Sequence, residues 1–237
     1  MLPDFPQENI RGRHVVVTGG TGGLGQGVVA RMLQCGAIVH APVWKEEELE
    51  NVDWLAVNTT TGVDLRDETQ VRAYYQSLPE LWASIHLVGG FSMGPLGQTS
   101  VVEMRRLMEL NATTAYLCCQ AALEKIRSSL ETPGGRLINV SARPVEIPAG
   151  EMVAYSMSKA AVSALTRSLA VELAPEKIWV NAIAPGIIDT VANRSAMPDA
   201  DHSKWAAPAG IARVISDLVL PQNLCQTGSV VPVYGQS

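Results

Sequence analysis

The sequence is poor in cysteine and lacks any long apolar run. Its 237 residues include four cysteines, with no Cys-x-x-Cys pair and no histidine at metal-ligand spacing, so we expect no metal site. No stretch reaches the ~18 apolar residues of a membrane span. The N-terminal MLPDFPQENIRGR also lacks the apolar run of a secretory signal. These absences predict a cytoplasmic protein without a membrane partner.

Positive charge is scarce as well. Lys and Arg number 18 against 23 Asp and Glu, which gives a net charge of −5. This balance argues against a broad cationic surface for nucleic acid. Hydrophobic residues make up 47% of the chain, enough for one large core. We therefore interpret residues 1–237 as a single domain.

What the sequence does contain is a regular alternation of strand and helix patterns. The predicted strands are 14–18, 37–43, 54–57, 84–88, 136–140, 179–183 and 229–233. The predicted helices are 24–35, 68–77, 100–107, 108–130, 151–173 and 208–219. This order predicts an α/β protein with one doubly wound Rossmann-type domain, a parallel sheet of about seven strands and helices on both faces. Residues 191–207 are polar and mixed, and we expect an irregular flap there.

A glycine-rich turn, TGGTGGLG at residues 18–25, joins the first predicted strand to the first predicted helix. Such a turn directs free backbone N–H groups and a helix dipole at one point, which suits a pyrophosphate. The residues that we expect to hold the cofactor here are Gly19, Thr21, Gly23, Leu24 and Gly25. Because a glycine pattern is informative mainly in this strand-to-helix setting, its placement predicts a dinucleotide cofactor.

The end of the second strand bears on the choice of cofactor. An acidic residue there would favour the ribose hydroxyl of NAD, but the sequence reads Pro42-Val43-Trp44-Lys45, with no carboxylate before Glu46. Trp44 and Lys45 would suit the 2′-phosphate of NADP. The alternative is that Lys45 and Glu46 only begin a solvated helix. We expect NADP or NAD, and the sequence favours NADP.

Tyr155 and Lys159 stand four residues apart in a predicted helix, which puts both side chains on one face. A phenol titrates near 10, and a nearby ammonium favours the phenolate. Such a pair can act as general acid in carbonyl reduction and as base in the reverse direction. Tyrosine and lysine at this spacing are common on solvated helices, so the pair gains weight only from the glycine-rich turn upstream.

Together, Thr18-Gly19-x-x-x-Gly23-x-Gly25, Asp64-Leu65, Asn111, Tyr155-x-x-x-Lys159 and Pro185-Gly186-x-x-x-Thr190 resemble the short-chain dehydrogenase/reductase family over nearly the whole chain. The resemblance implies NAD(P)-dependent hydride transfer between the nicotinamide and a small carbonyl or alcohol. Tyr155 and Lys159 would be catalytic and would also touch the cofactor.

The resemblance implies roles for the remaining markers. Asp64 would bind the adenine amino group, with Leu65 beside the ring. Asn111 would hold a water that links Lys159 to solvent. The residues that would border the nicotinamide are Pro185, Gly186, Ile188 and Thr190. Each marker also has an ordinary structural explanation, such as a turn or a backbone hydrogen bond.

Two positions depart from the family pattern. The family has Asn-Asn-Ala-Gly after the fourth strand, where this sequence reads LVGGF; we expect Val88, Gly89 and Gly90 to leave room for the adenosine side of the cofactor. The position of the family's catalytic serine, thirteen residues before the tyrosine, holds Ala142. Ser141 stands one residue earlier, and it reaches the site only if a bulge turns the strand. We retain Ser141 as a candidate catalytic residue.

These departures leave alternatives open. A Gly-Gly-aromatic turn with alanine in the serine position is similar to dihydropteridine reductase, which reduces a quinonoid ring, although Asn111 argues against a close match. A non-catalytic NAD(P)-binding sensor would need only the glycine-rich turn. An isomerase, dehydratase or epimerase on the same fold would also use the tyrosine and lysine.

The substrate and the assembly are less defined by the sequence. The residues expected around the substrate are mostly apolar, and they include Phe91, Met93, Ile147, Ile187 and Trp205. We therefore expect a small apolar carbonyl or alcohol, with Arg143 and His202 as the polar candidates. By family resemblance, helices 100–130 and 151–173 would pair with a second subunit, which implies a homodimer or homotetramer.

Overall fold

Seven parallel strands form one sheet in the computed structural model, which describes residues 9–50, 52, 54–129 and 134–236. The strands are β1 His14–Thr18, β2 Ile38–Pro42, β3 Val57–Thr60, β4 Ala83–His86, β5 Gly135–Val140, β6 Ile178–Pro185 and β7 Val230–Val233. Their order in the sheet is β3-β2-β1-β4-β5-β6-β7. The order reverses between β1 and β4, which confirms the predicted doubly wound, Rossmann-type fold.

Helices cover both faces of this sheet. They are α1 Gly23–Gln34, α2 Glu68–Ser77, α3 Val101–Met108, α4 Thr114–Ser129, α5 Arg143–Glu146, α6 Val153–Leu173, α7 Val191–Ala196 and α8 Pro208–Val219. Because strand side chains alternate between faces, Val15 and Val17 join the core under α1 and α8, whereas Val16 joins the core under α2, α4 and α6. Within the described residues, no helix is long and apolar enough to cross a membrane.

The third strand is displaced from its predicted position. We predicted a strand at 54–57, but β3 runs from Val57 to Thr60. The apolar Trp54 packs against the core beneath Gly20 and precedes the strand in a turn. β3 is an edge strand whose residues are largely exposed, so it lacks the apolar pattern on which the prediction relied.

The expected flap is more ordered than predicted, and the helix predicted at 108–130 begins with a π-helical turn. The expected flap at 191–207 contains α7 and a short 3₁₀ turn at His202–Lys204. Thr190 caps α7 by accepting a hydrogen bond from the backbone N–H of Asn193 at 3.2 Å. A π-helical turn at Glu109–Thr113 separates α3 from α4, and such turns often lie at functional sites.

A chain of buried polar groups crosses the sheet on the α2, α4 and α6 side. Tyr75 Oη lies 2.7 Å from Ser84 Oγ, which lies 2.9 Å from His86 Nε2. His86 Nδ1 lies 2.8 Å from Asn139 Oδ1, and Asn139 Nδ2 donates to Thr166 Oγ1 at 3.0 Å. Thr166 donates to a carbonyl one turn earlier in α6. These bonds satisfy polar groups in the core and link β4 to β5.

The donor and acceptor of each of these hydrogen bonds can be assigned from the Thr166 hydroxyl, which donates to a carbonyl of α6. Because the Thr166 hydroxyl uses its hydrogen on the helix carbonyl, it must accept from Asn139 Nδ2, so that Asn139 Oδ1 faces the ring of His86. His86 then carries its proton on Nδ1, and Nε2 accepts from Ser84. Burial lowers the pKa of His86 to about 4, which keeps the ring neutral.

We predict that folding stability falls on acidification between about pH 6.5 and 4. Burial also lowers the pKa of His40 to about 4, with a smaller contribution from His14. Unfolded imidazoles titrate near 6.5, so in this window the unfolded state binds more protons than the folded state, and protonation favours unfolding. Urea unfolding at several pH values measures the slope.

The His86→Gln variant tests the contribution of one ring. We expect a shallower loss of stability with falling pH than in the wild type, because one of the two titrating groups is gone. The readout is the slope, so a uniform loss of stability in the variant does not obscure it. Equal slopes in both proteins would contradict the assignment.

Candidate active site

The turn between β1 and α1 forms a cradle of free backbone N–H groups. α1 begins at Gly23, and its N-cap Gly22 provides no side-chain hydrogen bond. The first N–H groups of a helix have no partner within the helix. A Cβ on Gly25 would lie 2.6 Å from the carbonyl oxygen of Gly20, so only glycine allows the loop to close this tightly over the helix. The arrangement fits the pyrophosphate of a dinucleotide.

The residues after β6 lie against this cradle. A Cβ on Gly23 would be 2.7 Å from Cγ2 of Thr190, so the two segments are in contact. Gly186 follows β6 and donates its N–H to Val233 O at 3.4 Å, and Ile188 pairs with Ala206. The structure thus brings the predicted 185–190 segment, at the carboxyl end of β6, to the glycine-rich turn.

A cavity of about 170 Å³ lies at the carboxyl ends of β1 and β2. Its lining includes residues that we predicted to bind the cofactor, namely Gly19, Trp44, Asp64, Leu65 and Val88. It also includes Glu48 and Arg66, which the sequence analysis missed. The signal for Glu48 was partial: a glutamate at the third position of a helix can accept from the N-cap backbone N–H, and Glu48 accepts from the N–H of Lys45 here.

The two carboxylates of the cavity are already bonded. Arg66 Nη2 contacts Asp64 Oδ2 at 2.6 Å, and this hydrogen bond lowers the pKa of the Asp64 carboxyl. Glu48 Oε2 accepts from Thr21 Oγ1 at 2.7 Å, and Oε1 accepts from the N–H of Lys45 at 3.1 Å. Both carboxylates of the cavity are therefore already hydrogen-bonded to other groups of the protein.

Two cations flank the indole of Trp44 in the same region. Lys45 Nζ lies 4.7 Å from the ring centroid, and the guanidinium carbon of Arg66 lies 4.8 Å from it. Trp44 itself is half exposed. Both distances are within cation–π range. The end of β2 thus carries a positively charged aromatic surface.

Asn111 clamps the turn that follows β4. It is buried in the π-helical turn, where Oδ1 accepts from Gly90 N at 2.9 Å and Nδ2 donates to Gly90 O at 3.0 Å. Nδ2 also donates to Ser158 Oγ at 2.9 Å. Both amide hydrogens are therefore in use, so the side chain holds the backbone in place, and a water relay would have to use the main chain instead.

Tyr155 and Lys159 lie in the first two turns of α6, at the same end of the sheet. Lys159 is buried, and its Nζ donates to Val140 O at 2.9 Å. Burial lowers the pKa of Lys159 to about 8. Burial also raises the pKa of Tyr155 to about 12. We expected the ammonium to lower the pKa of the phenol, but the net shift is upward, and burial is its cause.

Ser141 does not reach the site. Its side chain is buried beneath α6, where Oγ lies 2.7 Å from Ser163 Oγ and 3.4 Å from the carbonyl oxygen of Lys159. The backbone runs regularly past Ala142, whose side chain takes the next position. We correct the prediction: no bulge turns Ser141 toward the substrate, and the serine position of the family holds a methyl group.

The mouth of the site is apolar. Phe91 packs edge-on against Tyr155, with ring centroids 5.0 Å apart, and the side chains of Met93, Ile147 and Ile187 are exposed. Trp205, also expected here, is instead buried beside His202. Of the expected apolar residues, the structure thus brings Phe91 to Tyr155, leaves Met93, Ile147 and Ile187 exposed, and buries Trp205.

Within the described part of the chain, Cys118 and Cys119 are not activated thiols, and potential metal ligands do not cluster. Cys118 and Cys119 are buried, and burial raises the pKa of the Cys118 thiol to about 12. Among the described residues, no group of three or more His, Cys, Asp or Glu side chains is placed to hold a metal ion.

We predict that Gly89→Ala lowers turnover by at least roughly tenfold. A Cβ at this position would lie 2.6 Å from Asn111 Oδ1 and 3.1 Å from Lys159 Nζ, so it displaces the clamp or the ammonium; a displacement of about 1 Å costs up to ~10²-fold in rate. Steady-state kinetics measures the effect. Gly97→Ala is the matched control, because nothing lies within 4 Å of its Cβ. Equal rates in the two variants would refute the prediction.

Comparison with known proteins identifies the family. The short chain dehydrogenase family model matches residues 13–201. A rhamnolipids biosynthesis 3-oxoacyl-[acyl-carrier-protein] reductase from Pseudomonas aeruginosa is 31% identical over 97% of this chain and 98% of its own. A 3alpha-hydroxysteroid dehydrogenase from Mediterraneibacter gnavus is 30% identical over 86% of this chain and 85% of its own.

Solved structures agree with this assignment. The Pseudomonas aeruginosa RhlG/NADP active-site complex superimposes with a TM-score of 0.87 at 28% identity and covers 98% of both chains. A short-chain type dehydrogenase/reductase from Mycobacterium ulcerans gives the same TM-score at 23% identity and supports the fold. The chain belongs to the short-chain dehydrogenase/reductase family and is an NAD(P)-dependent oxidoreductase.

Proposed function

We propose that this oxidoreductase reduces a small carbonyl compound to an alcohol, with Tyr155 as the proton donor. The observation that carries the proposal is the placement of Tyr155 and the buried Lys159 in the first two turns of α6, where Lys159 Nζ is held on Val140 O and Tyr155 packs against Phe91. Reductases and dehydrogenases among the relatives support this reading. Nothing in the comparisons favours the sensor or the dihydropteridine reductase alternative.

The residues present fit a nicotinamide dinucleotide. The free N–H groups of α1 suit its pyrophosphate, and the cavity at the end of β2 suits its adenosine half. When bound, the cofactor supplies the hydride. Tyr155 Oη then holds the proton that the carbonyl oxygen receives, and Lys159 keeps a positive charge close behind the phenol to stabilise the phenolate that remains.

We assign Asn111 a positioning role in this reaction. Its amide fixes Gly90 from both sides and reaches Ser158, whose hydroxyl donates to the carbonyl oxygen of Tyr155 at 2.7 Å. The turn after β4 and the start of α6 are thereby linked. We infer that this link sets the distance between the cofactor-binding turn and the phenol.

The Tyr155→Phe variant should lose turnover by roughly 10²- to 10⁴-fold, because the phenyl ring offers no proton. NADPH affinity should change by less than about twofold, since the ring and its contact with Phe91 remain. Fluorescence titration measures the affinity. A panel of ketones, quinones and quinonoid pterins measures cofactor oxidation.

The matched control is Tyr74→Phe in α2, which should retain full activity because the Tyr74 hydroxyl makes no hydrogen bond in the described part of the chain. A Tyr155→Phe protein with wild-type turnover would exclude the proposed acid. Turnover of the pterins alone would instead favour the dihydropteridine reductase alternative.

We further propose that NADP(H) is preferred over NAD(H). The support is the positive surface around Trp44, where Lys45 and Arg66 lie within 4.8 Å of the ring centroid. The nearby Asp64 is paired with Arg66, which leaves less free negative charge to repel a 2′-phosphate. Glu48 acts in the opposite direction, but its oxygens are bonded to Thr21 and the Lys45 backbone.

Lys45→Met should weaken NADPH binding by roughly tenfold while NADH binding changes little, because only NADPH carries the phosphate that the ammonium would contact. Titration of both cofactors measures the ratio. Lys125→Met on α4 is the control for loss of one lysine charge. An equal loss for both cofactors would show that Lys45 serves the fold rather than the phosphate.

We propose that the chain forms a homodimer or homotetramer through α4 and α6. The support is an open apolar hollow of about 300 Å³ between these helices, lined by Ala112, Thr113, Tyr116, Ala161 and Leu165.

We also assign residues 1–237 to one domain, because all seven strands join one sheet. We further propose a cytoplasmic location, because the four cysteines are free and thiols stay reduced in that compartment.

We propose an apolar body for the substrate. The exposed side chains of Phe91, Met93, Ile147 and Ile187 offer an aliphatic and aromatic wall near Tyr155. Such surface is favourable for a small or medium carbonyl compound with an alkyl or aryl group, since its burial removes apolar area from water.

A further inference from the structure

Arg143 reaches across the edge of the sheet on which the proposed reaction takes place. It is the first residue of α5 and follows Ala142, at the end of β5. Its guanidinium carbon lies 5.7 Å from the ring centroid of Tyr234, which directly follows β7. Between these two strands lies β6, where Gly186 donates to Val233. The Arg143 side chain therefore extends past the residues expected to border the nicotinamide.

This arginine lacks an anionic partner within the described parts of the chain. It takes part in none of the ion pairs there, and its Nε atom is buried without a hydrogen-bond partner. The neighbouring carboxylates are engaged elsewhere: Glu146 pairs with Arg167, and Asp189 pairs with Arg194. A buried guanidinium donor without an acceptor is costly. The two Nη atoms also make no hydrogen bond in the described part of the chain but are not buried, so an incoming oxygen ligand would meet the guanidinium there.

The guanidinium is suited to one kind of ligand. Its N–H donors lie in a planar fork that matches the two oxygens of a carboxylate. The guanidinium carbon lies within cation–π range of the Tyr234 ring. Phe91, which packs against Tyr155, and Ile147, which follows α5, are apolar and exposed. The site therefore presents one cationic fork and one apolar wall, with the phenol of Tyr155 at the same edge of the sheet.

We propose that Arg143 binds a carboxylate of the substrate, so that the substrate class is oxo acids with an apolar body rather than neutral ketones. This inference rests on the proposed carbonyl reduction and adds the identity of a second substrate group. In the reaction the carbonyl carbon gains a hydride from the reduced nicotinamide and the carbonyl oxygen gains the proton of Tyr155. The carboxylate is unchanged, and the product is a hydroxy acid.

Matched pairs of acids and esters test the proposal. The 2-, 3- and 4-oxohexanoates, each with its methyl ester, vary the distance between carboxylate and carbonyl while keeping the alkyl chain. With the wild-type enzyme and NADPH, we expect kcat/KM for the acid to exceed that for the ester by roughly ten- to hundredfold at one spacing. Esters reduced as well as or better than the acids at every spacing would overturn the inference.

Variants test whether the Arg143 side chain causes the preference for the acid over the ester. Arg143→Met should abolish the acid-to-ester ratio, and Arg143→Lys should retain part of it, because it keeps the charge and loses the fork. Arg105→Met, which removes an exposed arginine on α3, should keep the full ratio. NADPH titration of each variant shows that it is folded. An acid preference that survives in Arg143→Met would exclude this residue.

A binding measurement separates this inference from the proposed activity. If no acid or ester is reduced, the carbonyl reductase assignment fails on this panel. Calorimetric titration of the enzyme–NADP⁺ complex with hexanoate and with hexanamide then decides the role of Arg143. Tighter binding of hexanoate that is lost in Arg143→Met supports a carboxylate site, whereas equal binding of both compounds refutes it.

Discussion

The close approach of three segments at Gly89 is the constraint on which the site depends. Because Gly89 has no side chain, the Asn111 amide and the Lys159 ammonium come close to the same turn. Asn111 then bonds Gly90 in both directions and reaches α6 through Ser158. One turn of backbone thus joins β4, the π-helical turn and α6. The absence of a side chain at Gly89 leaves the room that this junction needs.

The buried hydrogen-bonded side chains from Tyr75 to Thr166 lie under the same strands and support this junction. His86 ends β4 just before the glycine turn, and Asn139 precedes Val140, whose carbonyl receives the ammonium of Lys159. The bond between His86 and Asn139 therefore ties together the two strand ends that carry the turn and the lysine acceptor. Buried polar bonds of this kind are costly when half satisfied, and here every member has a partner, which makes the relative position of the two strands definite.

The sequence predicted what depends on pattern and order, and it missed what depends on packing. Buried strands such as β1 stood out because parallel strands covered on both faces are continuously apolar, whereas β3 is an exposed edge strand and did not. The glycine turn was identifiable from its place between strand and helix. Ser141 is buried against Ser163, which is distant in the sequence, and Arg66 pairs with Asp64 through side-chain atoms. The spacing of residues along the sequence predicts neither contact.

The protonation states of the tyrosine and lysine fit the proposed carbonyl reduction near neutral pH. Carbonyl reduction starts from a protonated phenol, and burial holds Tyr155 in that form far above neutral pH. Alcohol oxidation would need the phenolate, which an ammonium must stabilise. Lys159, however, begins to lose its charge near pH 8, well below the pKa of the phenol. Near neutral pH both groups are therefore protonated, which is the state from which Tyr155 would donate its proton in the proposed reduction.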